Sequence, residues 1–226
     1  MLKIYSHPRS GTHFLEAFVA KNFYPDEDLS VENLTWGHWS NRKFSEINPY
    51  GKLFGSHSFP RKNFRPKIKP ILYIYRDGRA VAYSIWKTPN FLNKEMSDLS
   101  FSEFLRTPID WKGSPAHKSE PKYTIVEHWS KHVEEWFNLR GKANVIFISY
   151  EELIDNPDKI YRYILLRRFP YKIHKLWYKK LETIDKPLGL LPNQGIKDSW
   201  RDVFTENDIE YFRKNTPEWL YNKFQN

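Results

Sequence analysis

The segment SHPRSGTHF, residues 6–14, contains a short turn that is suited to binding an anion. Ser10, Gly11 and Thr12 lie between a short apolar run and a helical pattern, so their backbone N–H groups can contact a phosphate or sulfate at a helix N-terminus. Arg9 adds a positive charge with forked donors. The turn is also typical of an ordinary strand-to-helix connection in which a hydroxyl caps the helix. The Walker pattern GxxxxGK[ST] is absent from the chain.

A second candidate phosphate contact lies in the segment YRDGRAVAYS, residues 75–84. Arg76 follows the continuous apolar run PILYIY, and Ser84 lies two turns into the helix that the following residues predict. A guanidinium and a hydroxyl that meet at one phosphate form charge-assisted hydrogen bonds. In the alternative interpretation, Arg76 pairs with the neighbouring Asp77 and Ser84 is merely packed.

Histidines are the other side chains able to move protons near neutral pH, since their usual pKa is about 6.5. His57 lies in KLFGSHS and, considered alone, is typical of a surface or capping histidine. His128 and His132 are four residues apart on a predicted helix, a spacing that can bind zinc, but no third ligand is evident. The chain has no cysteine, which excludes disulfides and thiolate metal sites. We therefore expect no metal.

Strands and helices alternate along the chain, which predicts a parallel β-sheet covered by helices on both faces. Apolar runs predict strands at residues 3–6, 52–58, 70–75 and 144–149. Helical spacing predicts helices from residue 12, at 78–87, at 125–140, at 155–169, and at 205–224 with a break before Pro217. Both candidate loops then lie at the carboxyl ends of strands, where such sheets bind ligands.

Length and composition favour a single folded domain, residues 1–226, with a loop-rich lid or acceptor segment at about 91–122. The chain is 40% hydrophobic and 17% aromatic, which excludes wholesale disorder. Its net charge of +9 suits an acidic partner, whether nucleic acid, anionic lipid, acidic glycan or a polyphosphorylated small ligand. No stretch approaches the roughly 18–20 apolar residues that span a bilayer, and no signal peptide is evident. We expect a soluble, cytoplasmic protein.

Five stretches of the sequence, in order, resemble motifs of the sulfotransferases that use 3'-phosphoadenylyl sulfate (PAPS). PRSGTHF is similar to their phosphosulfate-binding loop, usually PKSGTTW, and YRDGRAVAYS is similar to their 3'-phosphate motif. FGSHSFP resembles the KTHLP segment that holds the family's catalytic histidine. HWSKHVEEWF with VIFISYEELIDNP resembles a family helix and the strand ending in YEDL..DP, and NQGIKDSWRDVFT resembles RKGxxGDWKNxFT. The matches run from residue 5 to about residue 205.

The resemblance implies a three-layer α/β/α fold with a central parallel sheet, of the P-loop NTPase-like sulfotransferase type. It implies transfer of the sulfuryl group of PAPS, as co-substrate, to a hydroxyl or amine acceptor without a metal. The acceptor would be a small molecule, a glycan or a lipid, bound by loops such as 36–50 and 91–122. We expect no specific nucleic acid partner, and a monomer or weak homodimer.

The resemblance also assigns roles to individual residues. His57 matches the general base that takes the proton of the acceptor hydroxyl. Arg9 replaces the family's lysine and would stabilise the bridging oxygen as the S–O bond breaks. Arg76 and Ser84 would bind the 3'-phosphate, and Tyr150 would lie near the adenosine. The donor-binding residues that the resemblance implies are Arg9, Ser10, Gly11, Thr12, His13, Phe14, Arg76, Ser84, Tyr150, Gln194 and Gly195.

The chain departs from the family pattern at several of these positions. Phe14 replaces the tryptophan that stacks on adenine, and Gly55 replaces a lysine two residues before the histidine. Asn193 and Gln194 replace an arginine and a lysine that contact the 3'-phosphate, so Arg76 must carry more of that phosphate's charge.

Two other functions remain compatible with the residues. In a small kinase, ILYIYRD would be a Walker B strand with Asp77 on Mg²⁺, although the Walker lysine is missing. A non-catalytic binder of RNA or acidic polymer would use the basic residues and the nine tryptophans, but no nucleic-acid module signature is present. Arg201, Thr205 and Glu210 partly match a short family dimerisation motif, with Glu206 in place of its central valine.

Overall fold

A computed structural model of the protein describes residues 2–23, 53–60, 70–88, 92–111, 122–168 and 198–225. The strands in these ranges are β1 (Leu2–Ser6), β2 (Leu53–Ser56), β3 (Ile71–Tyr75) and β4 (Val145–Ser149). The first helices are α1 (Thr12–Phe23), α2 (Gly78–Trp86), α3 (Lys94–Ser97), α4 (Phe101–Arg106) and α5 (Ile125–Phe137). The later helices are α6 (Tyr150–Asp155), α7 (Pro157–Arg168), α8 (Glu206–Lys214) and α9 (Glu218–Asn222).

The four strands form one parallel sheet in the order β2-β1-β3-β4, which confirms the strands predicted from the apolar runs. Tyr5 of β1 pairs in register with Tyr73 of β3, which pairs with Phe147 of β4. Because all four strands run the same way, their carboxyl ends meet at one edge of the sheet. We call this edge, with the residues that follow each strand, the carboxyl edge.

Alternating side chains of the strands face two separate cores. Leu72 and Ile74 of β3 pack with buried residues of α1, α6 and α7 on one face. Tyr73 and Tyr75 pack on the other face with buried residues of α2, α4, α5, α8 and α9. The sheet is therefore covered on both faces, as its continuous apolar strands predicted.

Three helices on the face of the sheet that contains Tyr73 begin with side chains that satisfy the first backbone N–H groups of the helix. Thr124 and Glu127 form a reciprocal capping box at the start of α5. Similar boxes begin α4, with Ser100 and Glu103, and α8, with Thr205 and Asp208. The final helix is interrupted at Pro217 as predicted, giving α8 and α9.

The described part of the segment predicted to be loop-rich, residues 92–111, contains two short helices that pack against the rest of the structure. It contains α3 and α4, and Phe101, Phe104 and Leu105 of α4 are buried in the same core as α2 and α5. The sequence also did not predict α6, a short helix that begins directly after β4. No helix in the described ranges is long and apolar enough to cross a membrane.

Gly78, the first residue of α2, lies directly against the indole ring of Trp129 in α5. A Cβ atom added at Gly78 would be 2.5 Å from Trp129 Cδ2, and Trp129 is fully buried. The same indole donates from Nε1 to the backbone oxygen of Arg76 at 3.2 Å, so it also holds the end of β3. The close packing of α2 on α5 therefore requires glycine at this position.

We expect Gly78→Ala to destabilise the protein, although alanine is the better helix former by about 1 kcal/mol. The overlap with Trp129 should outweigh that preference and cost about 1–3 kcal/mol in the free energy of unfolding, measured by urea denaturation. As a control, Gly78→Ala in a Trp129→Leu background should cost clearly less. Equal losses in the two backgrounds would show that the indole contact is not the cause.

Candidate active site

The turn after β1 adopts an unusual backbone conformation at the carboxyl edge. Arg9 has φ +63 and Gly11 has φ +91, and the left-handed region costs a non-glycine residue about 1–2 kcal/mol. The backbone N–H of Ser10 donates to the carbonyl of His7 at 3.2 Å, and Thr12 begins α1. The Ser10 hydroxyl is buried, and no partner for it lies within the described part of the chain. Strain and an unsatisfied donor are features of turns that bind ligands.

Tyr150, the first residue of α6, packs against this turn. A Cβ atom at Gly11 would lie only 2.2 Å from Tyr150 Cδ2. The backbone at position 11 can therefore approach the Tyr150 ring this closely because glycine has no side chain. The ring of Phe14, on the first turn of α1, meets Tyr150 edge-on with centroids 6.1 Å apart. The structure thus brings together three residues that the sequence placed at a donor site.

The two arginines of the predicted site also meet at this turn. The guanidinium of Arg76 lies 4.5 Å from the centroid of the Tyr150 ring, and its Nη1 donates to the carbonyl of Arg9 at 3.4 Å. Arg9 in turn donates from Nε to Ser84 Oγ at 2.9 Å. Arg76, Ser84 and Arg9 therefore form one connected group of donors, although Ser84 is 75 residues from Arg9 in sequence.

The electrostatics of this group favour an anion. Burial lowers the pKa of Arg9, and the nearby charge of Arg76 lowers it further. Burial raises the pKa of the Tyr150 hydroxyl, while the Arg76 charge acts in the opposite direction. Two guanidinium charges at a half-buried edge repel each other, and an anion bound beside both would remove that repulsion.

Asp77 does not pair with Arg76, the alternative that the sequence left open. Its carboxylate accepts from the backbone N–H of Arg79 at 2.9 Å and so caps α2, and it accepts from Arg79 Nη2 at 2.8 Å. Arg79 also donates to the carbonyl of Phe224 at 2.6 Å and stacks 4.2 Å from the Trp200 ring. Asp77 therefore has a structural role, and this arrangement argues against it as the magnesium ligand of a kinase.

His57 follows β2 and is only 2% exposed. Its Nδ1 lies 2.9 Å from the backbone oxygen of Ser6 and 3.1 Å from Ser6 Oγ. A carbonyl oxygen can only accept, so Nδ1 carries the hydrogen and Nε2 carries the lone pair in the neutral ring. Ser6 Oγ is also 2.5 Å from Thr12 Oγ1, which links the histidine to the anion turn.

Three further histidines cluster beside His57. His132 of α5 donates from Nε2 to the carbonyl of His57 at 3.2 Å, and its Nδ1 accepts from the Tyr73 hydroxyl at 2.9 Å. Burial holds the pKa of Tyr73 well above its usual value, so Tyr73 is the donor. His7 lies with ring centroids 5.0 Å from His128 and 5.4 Å from His132. In the described ranges no group of histidine, cysteine or acidic side chains could hold a metal ion.

Sequence reasoning found the paired histidines of α5 but missed His7. The only signal was its place directly before the turn, which gave no hint of a partner 121 residues away. His13 was predicted at the donor site, and the structure shows it half-buried with Nδ1 3.0 Å from Glu16.

Some residues of the predicted motifs lie outside the described residues or have another role in the structure. Gln194, Gly195 and Asn193 lie outside the described residues. Thr205 of the short dimerisation motif is used to cap α8.

Comparison with known proteins settles the family. The sulfotransferase domain family matches residues 2–165. The chain belongs to that family. The predicted family is thereby confirmed. Among its relatives, the 3-beta-hydroxysteroid sulfotransferase of Cavia porcellus is 25% identical, over 92% of this chain and 79% of that protein. Sulfotransferase 2A1 of Homo sapiens is 23% identical, over 93% of this chain and 81% of that protein.

Solved structures confirm the fold of this sulfotransferase as the predicted α/β/α type. The crystal structure of mouse sulfotransferase SULT7A1 complexed with PAP superposes with a TM-score of 0.60 and 17% identity, covering 94% of this chain and 82% of that one. The crystal structure of a retinol dehydratase in complex with retinol and PAP superposes with a TM-score of 0.57 and 16% identity, covering 100% of this chain and 81% of that one.

We expect Gly11→Ala to disrupt the anion turn by two separable effects. A left-handed alanine costs about 1–2 kcal/mol, and the overlap with Tyr150 should add roughly 1–3 kcal/mol. Gly141→Ala is the matched control, because Gly141 has φ +75 but open space around its Cβ position. Urea denaturation should show the larger loss for Gly11→Ala, and equal losses would contradict the contact with Tyr150.

Proposed function

We propose that this sulfotransferase moves the sulfuryl group of PAPS to a hydroxyl or amine acceptor, with the reaction centred between Arg9 and His57. The observation that carries the proposal is the Arg76 guanidinium bonded to the carbonyl of Arg9, at the same edge of the sheet as a histidine whose lone pair is on Nε2. The family membership and the PAP bound to a structural neighbour support this donor.

The described residues fit a nucleotide with phosphate groups at both ends. The buried Ser10 hydroxyl and the close approach of Gly11 to Tyr150 form a narrow turn suited to the 5'-phosphosulfate. Phe14 and Tyr150 present aromatic rings beside it for the adenine and adenosine. His13 and Thr12 complete the turn on the first residues of α1. PAPS would supply the sulfuryl group there and leave as its 3'-phosphorylated product, PAP.

His57 is the proposed general base. Its Nε2 would take the proton of the acceptor hydroxyl as the acceptor oxygen bonds to sulfur, while Nδ1–H stays bonded to the carbonyl of Ser6. That bond fixes the tautomer that a base requires and orients the ring. A proton on Nε2 would leave an imidazolium that still donates from Nδ1 to the carbonyl, which stabilises the charged form.

Arg9 is the proposed stabiliser of the leaving group. As the bond from sulfur to the bridging oxygen breaks, negative charge builds on the phosphate side, where Arg9 lies. Ser84 accepts from Nε of Arg9, which holds the Arg9 guanidinium at the turn. Arg76 and the Ser84 hydroxyl would bind the 3'-phosphate, with Arg76 fixed over the Tyr150 ring. The predicted Gln194 and Gly195 would add backbone contacts.

Replacing the proposed base should slow the chemical step without weakening the binding of the donor nucleotide. We expect His57→Ala to lower kcat by about 10²–10⁴-fold, because no base then takes the proton of the substrate hydroxyl in the transition state. Calorimetry should show the affinity for PAP nearly unchanged, since the hydrogen bonds described between His57 and the start of the donor turn go to Ser6 and not to the proposed phosphate contacts. Wild-type turnover in this variant would remove His57 from the mechanism.

Replacing Arg76 should weaken binding of the 3'-phosphorylated nucleotide. We expect Arg76→Ala to lower the affinity for PAP about ten- to hundredfold and to leave the weaker affinity for ADP nearly unchanged, because ADP lacks the 3'-phosphate. Lys142→Ala is the control, since it removes an exposed positive charge before β4, at the opposite edge of the sheet. Unchanged PAP affinity in Arg76→Ala would refute the assignment.

A further inference from the structure

The hydroxyl of Ser6 lies between the proposed base and the donor turn. Ser6 is the last residue of β1 and is 0% exposed. Its Oγ is 3.1 Å from Nδ1 of His57 and 2.5 Å from Oγ1 of Thr12, the first residue of α1. In the described part of the chain, these two atoms are the hydrogen-bond partners of the Ser6 hydroxyl. One small side chain therefore joins two parts of the site that have separate roles in the proposed reaction.

Strand register explains why these three residues meet. The parallel pairing of β1 and β2 runs up to Tyr5 and Ser56, so the next residues, Ser6 and His57, leave the sheet side by side. The chain then turns back on itself, and the bond from Ser6 to Thr12 closes the neck of the turn. Two residues inside the turn have positive φ, and a backbone in such a conformation keeps its shape only when surrounding contacts hold it.

The hydrogens in this chain of contacts have a definite order. The carbonyl of Ser6 can only accept, so His57 carries a hydrogen on Nδ1, and the Ser6 hydroxyl cannot donate to that nitrogen. The Ser6 hydroxyl therefore donates to Oγ1 of Thr12. The reverse order would leave the hydrogen of the fully buried Ser6 without an acceptor in the described ranges. The Thr12 hydroxyl thus keeps its own hydrogen for a further acceptor at the turn.

We propose that Ser6 is a positioning residue for sulfuryl transfer, whose hydroxyl holds the His57 ring and turns the Thr12 hydrogen toward the bound donor. Donation then runs in one direction, from His57 through Ser6 and Thr12 to the phosphosulfate. Each hydroxyl that donates becomes a better acceptor, so the bonds of such a chain strengthen one another. A bound donor therefore tightens the contact that orients the base. This inference rests on the proposed function, because it uses the same base and the same donor.

The direction of the chain matches the charges of the proposed reaction. His57 gains a proton on Nε2 while negative charge builds on the phosphate side of the breaking bond between sulfur and oxygen. A protonated imidazole donates more strongly from Nδ1, so the charge on His57 strengthens the bonds that end on the donor anion. Ser6 acts only through its two neighbours, since its own hydrogen is used by Thr12.

The first test measures the affinity for PAP by calorimetry, so it needs no acceptor substrate. Ser6→Ala removes the hydroxyl but keeps the carbonyl that fixes the His57 tautomer. We expect this variant to bind PAP about three- to tenfold more weakly, because the Thr12 hydrogen is no longer directed at the phosphate. Urea denaturation checks that the variant is folded.

Two substitutions at Thr12 show whether Ser6 acts through this residue. Thr12→Val removes the hydroxyl with little change in shape, so adding Ser6→Ala to it should change the PAP affinity by less than about twofold. Thr12→Ser is the matched control, because it keeps the hydroxyl, and the loss caused by Ser6→Ala should return in this background. Equal losses in the two backgrounds would contradict the contact through Thr12.

The second test observes the base directly. The Nδ1 proton of His57 is followed by NMR in protein with isotope-labelled histidine, and its signal is identified by its loss in His57→Ala. PAP should move this signal downfield in the wild type, because a bound anion strengthens every bond of the chain. In Ser6→Ala saturated with PAP, the movement should be absent. If Ser6 had only a role in folding, the folded variant would keep the response to PAP.

The outcomes separate this inference from the proposed function. If the wild type does not bind PAP, the proposed function fails and this inference fails with it. If PAP binds but Ser6→Ala binds it as tightly as the wild type, the positioning role is refuted while the donor site stands. A His57 signal that does not respond to PAP in the wild type, or that responds equally in Ser6→Ala, would also refute the positioning role.

Discussion

The proximity of two positive charges at the carboxyl edge is the constraint around which the site is organised. Arg76 donates to the backbone carbonyl of Arg9, and the Arg9 side chain donates to Ser84, so both guanidinium groups are held near the same turn. Burial lowers the pKa of Arg9, and the electrostatic strain of the nearby Arg76 charge lowers it further. A ligand with negative charge at both ends relieves this strain, and a neutral ligand does not. The basic edge therefore selects for an anionic donor before any individual hydrogen bond is considered.

Tyr150 contacts both the Arg76 guanidinium and the turn after β1. Its ring supports the Arg76 guanidinium on one side and touches Gly11 on the other, so one aromatic side chain sets the distance between the end of β3 and the turn after β1. Trp129 fixes the other side of the same strand end by donating to the Arg76 carbonyl and packing on Gly78. The close packing of Gly11 on Tyr150 and of Gly78 on Trp129 thus helps to position the arginines, although neither glycine has a side chain that could take part in chemistry.

The histidine half of the site is organised by hydrogen bonds to backbone carbonyls. The carbonyls of Ser6, Pro8 and His57 each accept from one imidazole, and each such bond determines which ring nitrogen carries the lone pair. Burial, and then the neighbouring histidines, hold the pKa of His7 well below its usual value. The ring orientations of the proposed base and of its histidine neighbours are therefore set by the chain that follows β1 and β2.

Local sequence patterns determined the strands, the order of strand and helix, and the placement of Arg9, His57, Arg76 and Tyr150 at or near the carboxyl ends of strands. These features depend on the period of apolar residues and on chain direction, which neighbouring residues specify. The family resemblance added the roles proposed for those residues. The tertiary structure alone decided that Asp77 pairs with Arg79 instead of Arg76, that residues 92–111 contain the packed helices α3 and α4, and that His7 meets His128. Those contacts join residues whose choice of partner depends on how α5 and the segment before it pack on the sheet, which no local pattern encodes.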